Sequence, residues 1–462
     1  MTYDVVVVGA GFSAIAVTIH LLRELPSACS IAVVGDDPGF GRGAAYRSEF
    51  FLHRLNVPAG RMSLFPDQPD DFVEWLRRRH GRVSAEDFAA RGDYGLYLRD
   101  TLAALLRERS RRTRLDLVKA KATACIRRNE RGALFRLDSG DELEGKFVVL
   151  CLGLGNAGLP VPGGRMGPHA RSRVVSNPWK FDWLSRIGPA DEICILGSGL
   201  TMVDQVLTLR AQGHEGRIHV LSRRGLIPHS HALRRPAPVT PVLPDPPDRL
   251  SDVLRALRRQ VRAGADWRAL MDGLRPLTQG LWQSLPKSER SRFLRHGLAW
   301  WNIHRHRIAP EVFSRFDALV REGVVLVHAG YLREIADRPD SARIVYRRRA
   351  RHETASFDVR WIVNCTGMER AGIAHSPLLE EMRARGMIAP DELGLGLSVD
   401  RQSHLFDASG NIQARLFAVG ALTAGQFWEI TAVPDIRTQA QSVAGLVATQ
   451  LNAEASKAER DR

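Results

Sequence analysis

Val5-Val6-Val7-Val8-Gly9-Ala10-Gly11-Phe12-Ser13-Ala14, at the start of the chain, decides the fold. Four consecutive valines read as a strand buried on both faces, the usual state of parallel strands in α/β proteins. Gly9-Ala10-Gly11 turns the chain, and Phe12 to Leu25 carries Ile15, Ile19 and Leu22 at helical spacing. Ile31 to Val34 supplies the next strand and completes a βαβ unit. Within it Gly9-x-Gly11-x-x-Ala14 has the form of a dinucleotide fingerprint. Gly9 permits the tight turn, Gly11 lets a pyrophosphate approach the backbone, and Ala14 keeps the helix close to the sheet. The helix N-terminus would offer its free N–H groups to the phosphates. Asp36 is the nearest carboxylate to serve as ribose acceptor, one position later than usual, and a turn before Pro38 is the competing reading of that residue.

The arrangement recurs in the middle of the chain. Glu192 to Leu196 reads as a strand, Gly197-Ser198-Gly199 as a turn, Leu200 to Arg210 as a helix and Arg217 to Leu221 as the following strand. Gly197-x-Gly199-x-x-Met202 repeats the fingerprint, but the second strand runs into Ser222-Arg223-Arg224. An NAD site favours a carboxylate there, to accept from the ribose hydroxyls. A serine and two guanidinium groups suit a 2′-phosphate, so this site is expected to take NADPH. The pair of units predicts an α/β protein of two Rossmann-like, three-layer ββα dinucleotide-binding domains, the second inserted into the first. Residues 1–185 and 366–462 are expected to form the first domain, and 186–365 the second.

Composition narrows the classes. With 44% apolar and 25% charged residues over 462 positions, the chain is an ordinary globular protein, too long for a single core. Its five cysteines are scattered without a CxxC, which excludes a disulfide framework and a dithiol active site. No metal site is expected. No run reaches the roughly 18–20 apolar residues of a membrane span, and the N-terminus enters a strand without a leader pattern, so a cytoplasmic location without membrane contact is expected. The net charge of +15 would suit an acidic partner. Runs such as Arg77-Arg78-Arg79 and Arg347-Arg348-Arg349 are spread along the chain, however, and read as solvated faces, so nucleic acid is not expected. The sequence leaves the oligomeric state open.

Beyond the second unit, prolines from Pro236 to Pro247 exclude helix and central strand and read as a linker or an extended wall. Leu250, Val253, Leu254, Leu257 and Val261 open a small helical insertion over 250–312. There Trp267, Trp282, Trp300 and Trp301 sit among arginines, and the insertion is expected to favour an anionic substrate or the NADPH phosphates. His229 and His231 either line the nicotinamide cleft or are solvated loop residues.

Gly41-Arg42-Gly43-Ala44-Ala45-Tyr46, Leu55-Asn56-Val57-Pro58-Ala59 and Met62-Ser63 together resemble the signature of the FAD/NAD(P)-binding family. So do Gly197 to Asp204, Leu221 to Gly225, Trp301-Asn302 with His304 to Arg307, and Trp428 to Pro434 with Ile436-Arg437. The resemblance spans nearly the whole chain in order. Its members are similar in fold to N-hydroxylating and Baeyer–Villiger-type monooxygenases and to glutathione-reductase-like enzymes. It implies FAD in the first unit, with Gly41, Gly43, Tyr46 and Met62 near the cofactor, and NADPH in the second. Asn56 would face the flavin, with a turn before Pro58 as the alternative, and Trp428 would wall the site or sit in the core. Cys151-Leu152-Gly153 and Cys365-Thr366-Gly367 look like the hinges that such flavoproteins place between domains, and Gly420 like a pyrophosphate contact. Ala421 stands where many relatives place an aspartate for the ribityl chain. The implied activity is an NADPH-dependent FAD oxidoreductase: a monooxygenase using O2 on a small polar, amine or anionic molecule. The alternatives are a reductase serving another acceptor and a non-catalytic redox sensor.

Overall fold

The computed structural model describes every residue except 26–27, 38–39, 49, 109–112, 156, 163–164, 368–372, 374 and 461–462. The first stretch runs β1 (Thr2–Val8), α1 (Phe12–Glu24), β2 (Ser30–Val34), α2 (Gly43–Tyr46), α3 (Asp71–His80) and α4 (Arg91–Glu108). It continues through β3 (Arg114–Val118), β4 (Ala122–Asn129), β5 (Gly132–Leu137) and β6 (Glu142–Leu150). The middle holds α5 (Pro168–Ser172), β7 (Val174–Val175), β8 (Ile193–Leu196), α6 (Leu200–Ala211) and β9 (Ile218–Ser222). Five helices follow: α7 (Leu250–Arg262), α8 (Trp267–Leu274), α9 (Thr278–Ser284), α10 (Lys287–Arg292) and α11 (Leu298–Arg305). Then come α12 (Pro310–Arg321), β10 (Val325–Asp337), β11 (Ala342–Arg348), β12 (Thr354–Val359) and β13 (Trp361–Asn364). The last stretch is α13 (Pro377–Ala384), β14 (His404–Phe406), β15 (Ile412–Ala418) and α14 (Val433–Arg460).

The chain forms two compact units: Met1–Phe51, Val57–Gly155 and Arg370–Arg462 make the first, Leu52–Asn56 and Asn156–Glu369 the second. In the first, the sheet order is β14-β15-β6-β1-β2-β3, with the β4–β5 hairpin joined through β5 to β6. Strands β15, β6, β1, β2 and β3 run parallel. Val6 and Val8 belong to a core shared with Phe135 of the hairpin and with Leu378 and Met382 of α13. Because side chains alternate across a strand, Val5 and Val7 point to the other face, and both are fully buried. α1 packs along α14 and α4. Hairpin, sheet and helices are the three expected layers.

The second unit repeats the plan with sheet order β12-β11-β10-β9-β8-β13-β7. Its five parallel strands are β10, β9, β8, β13 and β7. β11 and β12 extend it antiparallel, and α5 shares their core through Ala170. The expected first boundary at 185 is corrected by these pairings: β7 pairs with β13, and Met166 bridges to Ile335 in β10, so 156–185 belong to the second unit. The expected return to the first domain at 366 moves to Arg370. The helical insertion likewise ends with α11 at Arg305, short of the expected 312, because α12 packs on α6 and β10 as a Rossmann helix. Among the described residues no helix is long and apolar enough to cross a membrane.

Candidate functional site

In the first unit Gly9 takes φ +134° where its chain passes β6, and a Cβ built there would fall on the Cys151 carbonyl. Only glycine permits both the backbone conformation and that approach. Gly9 N–H donates to Val34 O at 2.8 Å, and Cys151 N–H to Val8 O at 2.7 Å, so the turn is clamped between β2 and β6. Gly11 caps α1 without any side-chain bond, and a Cβ there would meet nothing within 4 Å. The first turn of α1 carries no acidic residue. Gly41 N–H donates to Ala10 O at 2.9 Å, and a Cβ on Gly43 would stand 3.3 Å from the Gly11 Cα. The Gly41-Arg42-Gly43 loop therefore lies directly over the turn. An open, uncharged helix N-terminus walled by bare backbone fits a pyrophosphate. Ala14 is fully buried and holds α1 against the sheet, as its position in the fingerprint demands.

Other expected contacts of this unit are placed as follows. Asp36, two residues past β2, pairs with Lys121 at 3.0 Å, and both are exposed. Pro38, the alternative turn residue, lies outside the described residues. Tyr46 sits 4.8 Å from Tyr94 and 5.7 Å from Phe12 by ring centroid, and burial pushes its phenol up to about 12, so it stays neutral. Met62 is 2% exposed and belongs to the core rather than to an open wall. An added Cβ at Gly153 meets nothing within 4 Å. Gly420, expected near the pyrophosphate, has its N–H engaged within the first unit. That N–H donates to Gln439 Oε1 at 2.8 Å, and Gly420 permits close approach to Ser13 in α1. Trp428 is half-buried. Its neighbour Glu429 holds φ +70°, a strained conformation for a glutamate of the kind that gathers at functional sites. Arg437, in the first turns of α14, bonds the Ser63 carbonyl, and burial lowers its guanidinium. The sequence reading missed Glu429, Arg437 and Gln439. The Trp428-to-Arg437 motif was the signal available for the first two.

The second unit builds the same turn. Gly197 takes φ +102°, a Cβ there would fall on the Cys365 carbonyl, and Gly199 caps α6 over open space. Gly197 N–H donates to Leu221 O at 2.9 Å and Cys365 N–H to Leu196 O at 2.8 Å. Met202 is fully buried and plays the packing part of Ala14. Asn364 ties the hinge: its Nδ2 donates to Ala157 O at 2.7 Å, and its Oδ1 accepts from Thr366. Gly367 accepts from Ala157 N–H at 3.0 Å. Beyond β9, Ser222 Oγ accepts from Gly225 N–H at 3.0 Å and lies 2.9 Å from Ser198 Oγ. Arg223 is exposed, and Arg224 reaches the His296 carbonyl at 3.3 Å. Arg349 Nη1 donates to Arg223 O at 3.4 Å. Sequence reading missed Arg349, because a run of arginines carries no sign of which one reaches the turn after β9.

A cleft of about 460 Å³ opens beside β7 and β13, lined by Gly158, Leu159, Met166, Arg171, Asn177 and Asn364 among others. Residues 52–56 also belong to this unit. His53 Nε2 lies 2.8 Å from Thr208 Oγ1, and the Asn56 carbonyl accepts from His231 Nε2 at 3.0 Å. Thus Asn56 and Trp428 fall in different units. His231 is not a solvated loop residue: it is 7% exposed, and burial helped by Arg307 drives its imidazole down to about 4. All five cysteines are buried and unpaired, and burial raises every thiol. Among the described residues no His, Cys, Asp and Glu cluster could hold a metal.

Residues 6–155 match a family model described as FAD-NAD(P)-binding. Over this stretch the first unit is similar to an FAD-NAD(P)-binding domain. The matched stretch contains Gly9, Gly11, Gly41, Gly43 and Gly153, and so the whole N-terminal share of the cradle. No curated protein matches the chain in sequence. In fold, the chain is similar to the reduced form of ornithine hydroxylase PvdA from Pseudomonas aeruginosa, with TM-score 0.67 and 15% identity over 98% of this chain and 100% of that one. It is equally similar to the ornithine N-hydroxylase KtzI of Kutzneria sp. 744, solved with reduced FAD, NADP+ and L-ornithine: TM-score 0.67 and 16% identity over 97% and 100%. Bacillithiol disulfide reductase Bdr from Bacillus cereus is more distant, with TM-score 0.53 and 12% identity over 97% and 100%. Over nearly its whole length the chain thus shares the fold of these hydroxylases and of Bdr.

Proposed function

We propose that this chain is an NADPH-dependent FAD oxidoreductase that works as a flavin monooxygenase on a small polar molecule, an amine or an anion. The observation that carries this reading is the pair of glycine cradles built alike, only the second of which opens onto an arginine-lined turn. Gly9, Gly11, Gly41, Gly43 and Gly153 would hold the FAD pyrophosphate, with Asp36 at its ribose. Gly197 and Gly199 would hold NADPH, with Arg223, Arg224 and Arg349 around the 2′-phosphate. In an open α/β sheet a dinucleotide lies across the carboxyl ends of the strands. The cleft beside β7 and β13, on the far side of β8 from the basic turn, would then receive its other end. When bound, the two cofactors supply hydride transfer from nicotinamide to flavin and reaction of reduced flavin with O2; the protein supplies position and shielding. The ornithine hydroxylases of the same fold favour an amine substrate.

A reductase serving another acceptor is the second reading, favoured by the likeness to Bdr. The burial of every cysteine argues against a thiol route within this chain. The experiment is to purify the protein, identify the released flavin, and follow NADPH oxidation with O2 consumption against a panel of amines and organic acids. Hydroxylated product stoichiometric with NADPH supports the monooxygenase. Oxidation of NADPH coupled only to an added quinone or disulfide selects the reductase, and a protein that never takes up flavin selects the sensor.

A further inference from the structure

We propose that the cluster of Trp267, His229 and His304, edged by Arg268 and Arg307, is an oxyanion site that takes the carboxylate or phosphate group of a small organic anion. The site lies in the second unit, where the loop after β9 and the end of α11 meet α8, and the proposal does not depend on the redox reading.

Its three rings are fixed by backbone as well as by contact. Trp267 opens α8, whose N-terminus is capped by Asp266 accepting from Arg268 N–H at 2.6 Å. His229 follows β9, and its N–H donates to Ile303 O at 3.1 Å while its carbonyl accepts from Ile308 N–H at 2.8 Å. His304 lies on α11 between those two residues. The ring centroids stand 5.3 Å (His229–Trp267), 4.9 Å (Trp267–His304) and 4.8 Å (His229–His304) apart, all tilted or edge-on. Arg268 lies 4.3 Å over the indole and is held by two 3.3 Å bonds to the Ser230 carbonyl. Arg307 approaches the same ring at 6.0 Å. His229, Trp267, Arg268 and His304 are all partly open to solvent, so a small molecule can reach them.

The charge does not balance. Arg307, with 3% of its side chain exposed, bonds Asp272, and Arg235 stands 3.8 Å from the same carboxylate. Asp272 is therefore shared by two guanidinium groups, with Arg268 and Arg305 both near enough to act on Arg307. Arg307 Nε and Nη1 are buried with no hydrogen-bond partner among the described residues. A buried, charged donor without an acceptor is costly. An oxyanion satisfies a guanidinium through parallel charge-assisted bonds. The local field agrees: burial depresses His229, and His304 and Arg268 depress it further, as in a region of surplus positive charge.

The test is calorimetric titration of the full-length protein with inorganic phosphate and with succinate, joined to NMR of the histidine C–H resonances, with His304→Gln to identify one of them. Saturable binding is expected, shifting the His229 and His304 signals and weakening roughly tenfold or more in Arg268→Gln and Arg307→Gln. Arg258→Gln, on the exposed face of α7, should leave it unchanged and so separates a built site from general attraction to a basic protein. Should Arg307→Gln fail to fold, Arg268→Gln decides alone. Titration with 2′,5′-ADP distinguishes the sources: competition with phosphate that is itself weakened by Arg268→Gln assigns the site to a nucleotide phosphate, and absence of competition to a separate organic anion. Unsaturable binding of both phosphate and succinate, or equal affinity in all variants, would overturn the proposal.

Discussion

Removing the two guanidinium groups after β9 tests the nucleotide assignment directly. Ser222 Oγ accepts from Gly225 N–H and adjoins Ser198, and the charged contacts of a 2′-phosphate would come from Arg223 and Arg224, with Arg349 beside them. Arg223 is exposed, and Arg224 is anchored by one bond to the His296 carbonyl, which leaves its remaining N–H groups for a ligand. A charge-assisted hydrogen bond contributes about 1.5–3 kcal/mol, and solvent screening at an exposed turn argues for the lower end. The double variant Arg223→Ala/Arg224→Ala should therefore lose about 2–3 kcal/mol toward NADPH, roughly 30- to 160-fold in Kd. NADH, which lacks the phosphate, should change by no more than about twofold, well inside the spread of single surface substitutions. Arg349→Ala removes a third charge and the bond to the Arg223 carbonyl, and should cost roughly tenfold or less, again for NADPH alone. The assay is calorimetric titration of the flavin-loaded protein with 2′,5′-ADP and 5′-ADP, followed by anaerobic hydride transfer from each reduced nucleotide. Equal losses for both nucleotides would remove these arginines from the selectivity role, and no loss for either would remove them from the site.

Gly11→Val should abolish flavin retention while leaving the fold intact, because the branched side chain enters the open space over α1 and no protein atom; unchanged flavin content after gel filtration would refute it. Gly9→Ala should instead damage the fold itself, since its Cβ falls on the Cys151 carbonyl and its φ is left-handed; wild-type thermal stability would contradict the clamp. His20, fully buried in α1, is driven to about 4 by burial, assisted by Arg23. Its unfolded form binds a proton below about 6.5 that the native form refuses until about 4, so stability falls over that window by about 3 kcal/mol as pH drops and is level below it. His20→Leu should flatten that part of a urea-unfolding pH series, and a parallel profile would place the acid sensitivity elsewhere.

The parts legible in the sequence were those written locally. Runs such as Val5-Val6-Val7-Val8 and Ile193-Cys194-Ile195-Leu196 announce buried parallel strands, and a glycine pair after each announces the turn. Ala14 and Met202 were legible because their only task is to be buried. The boundary at 155 was not, because β7 is two residues long and offers no period to count. Nor was the role of residues 52–56, whose links to Thr208 and His231 span 155 and 175 positions. Arg307 and Asp272 lie 35 positions apart, and only packing brings them together. Gln439 was hidden for the same reason: nothing in α14 announces that one amide will satisfy Gly420, Ser403 and Thr423 at once.

The two cradles agree closely in backbone and part company in charge, and that division explains how one chain could keep two dinucleotides apart. In each, the first glycine donates to the end of the neighbouring strand, at 2.8 Å from Gly9 and 2.9 Å from Gly197. In each, the cysteine of the hinge donates back to the central strand, at 2.7 Å from Cys151 and 2.8 Å from Cys365, and its carbonyl occupies the space a Cβ would need. A pyrophosphate presented with these two sites would meet nearly the same bare backbone, so shape at the turn cannot discriminate. What differs is the residue set just past the second strand: Asp36 with Lys121 in one unit, Arg223 and Arg224 with Arg349 in the other. A carboxylate there accepts from ribose hydroxyls and repels a 2′-phosphate, whereas the guanidinium groups attract one. On the proposed reading, selectivity rests on a few exposed charges grafted onto a duplicated scaffold. Salt should therefore erode the preference for NADPH at the second site while leaving flavin retention in the first, where uncharged backbone does the holding, almost untouched.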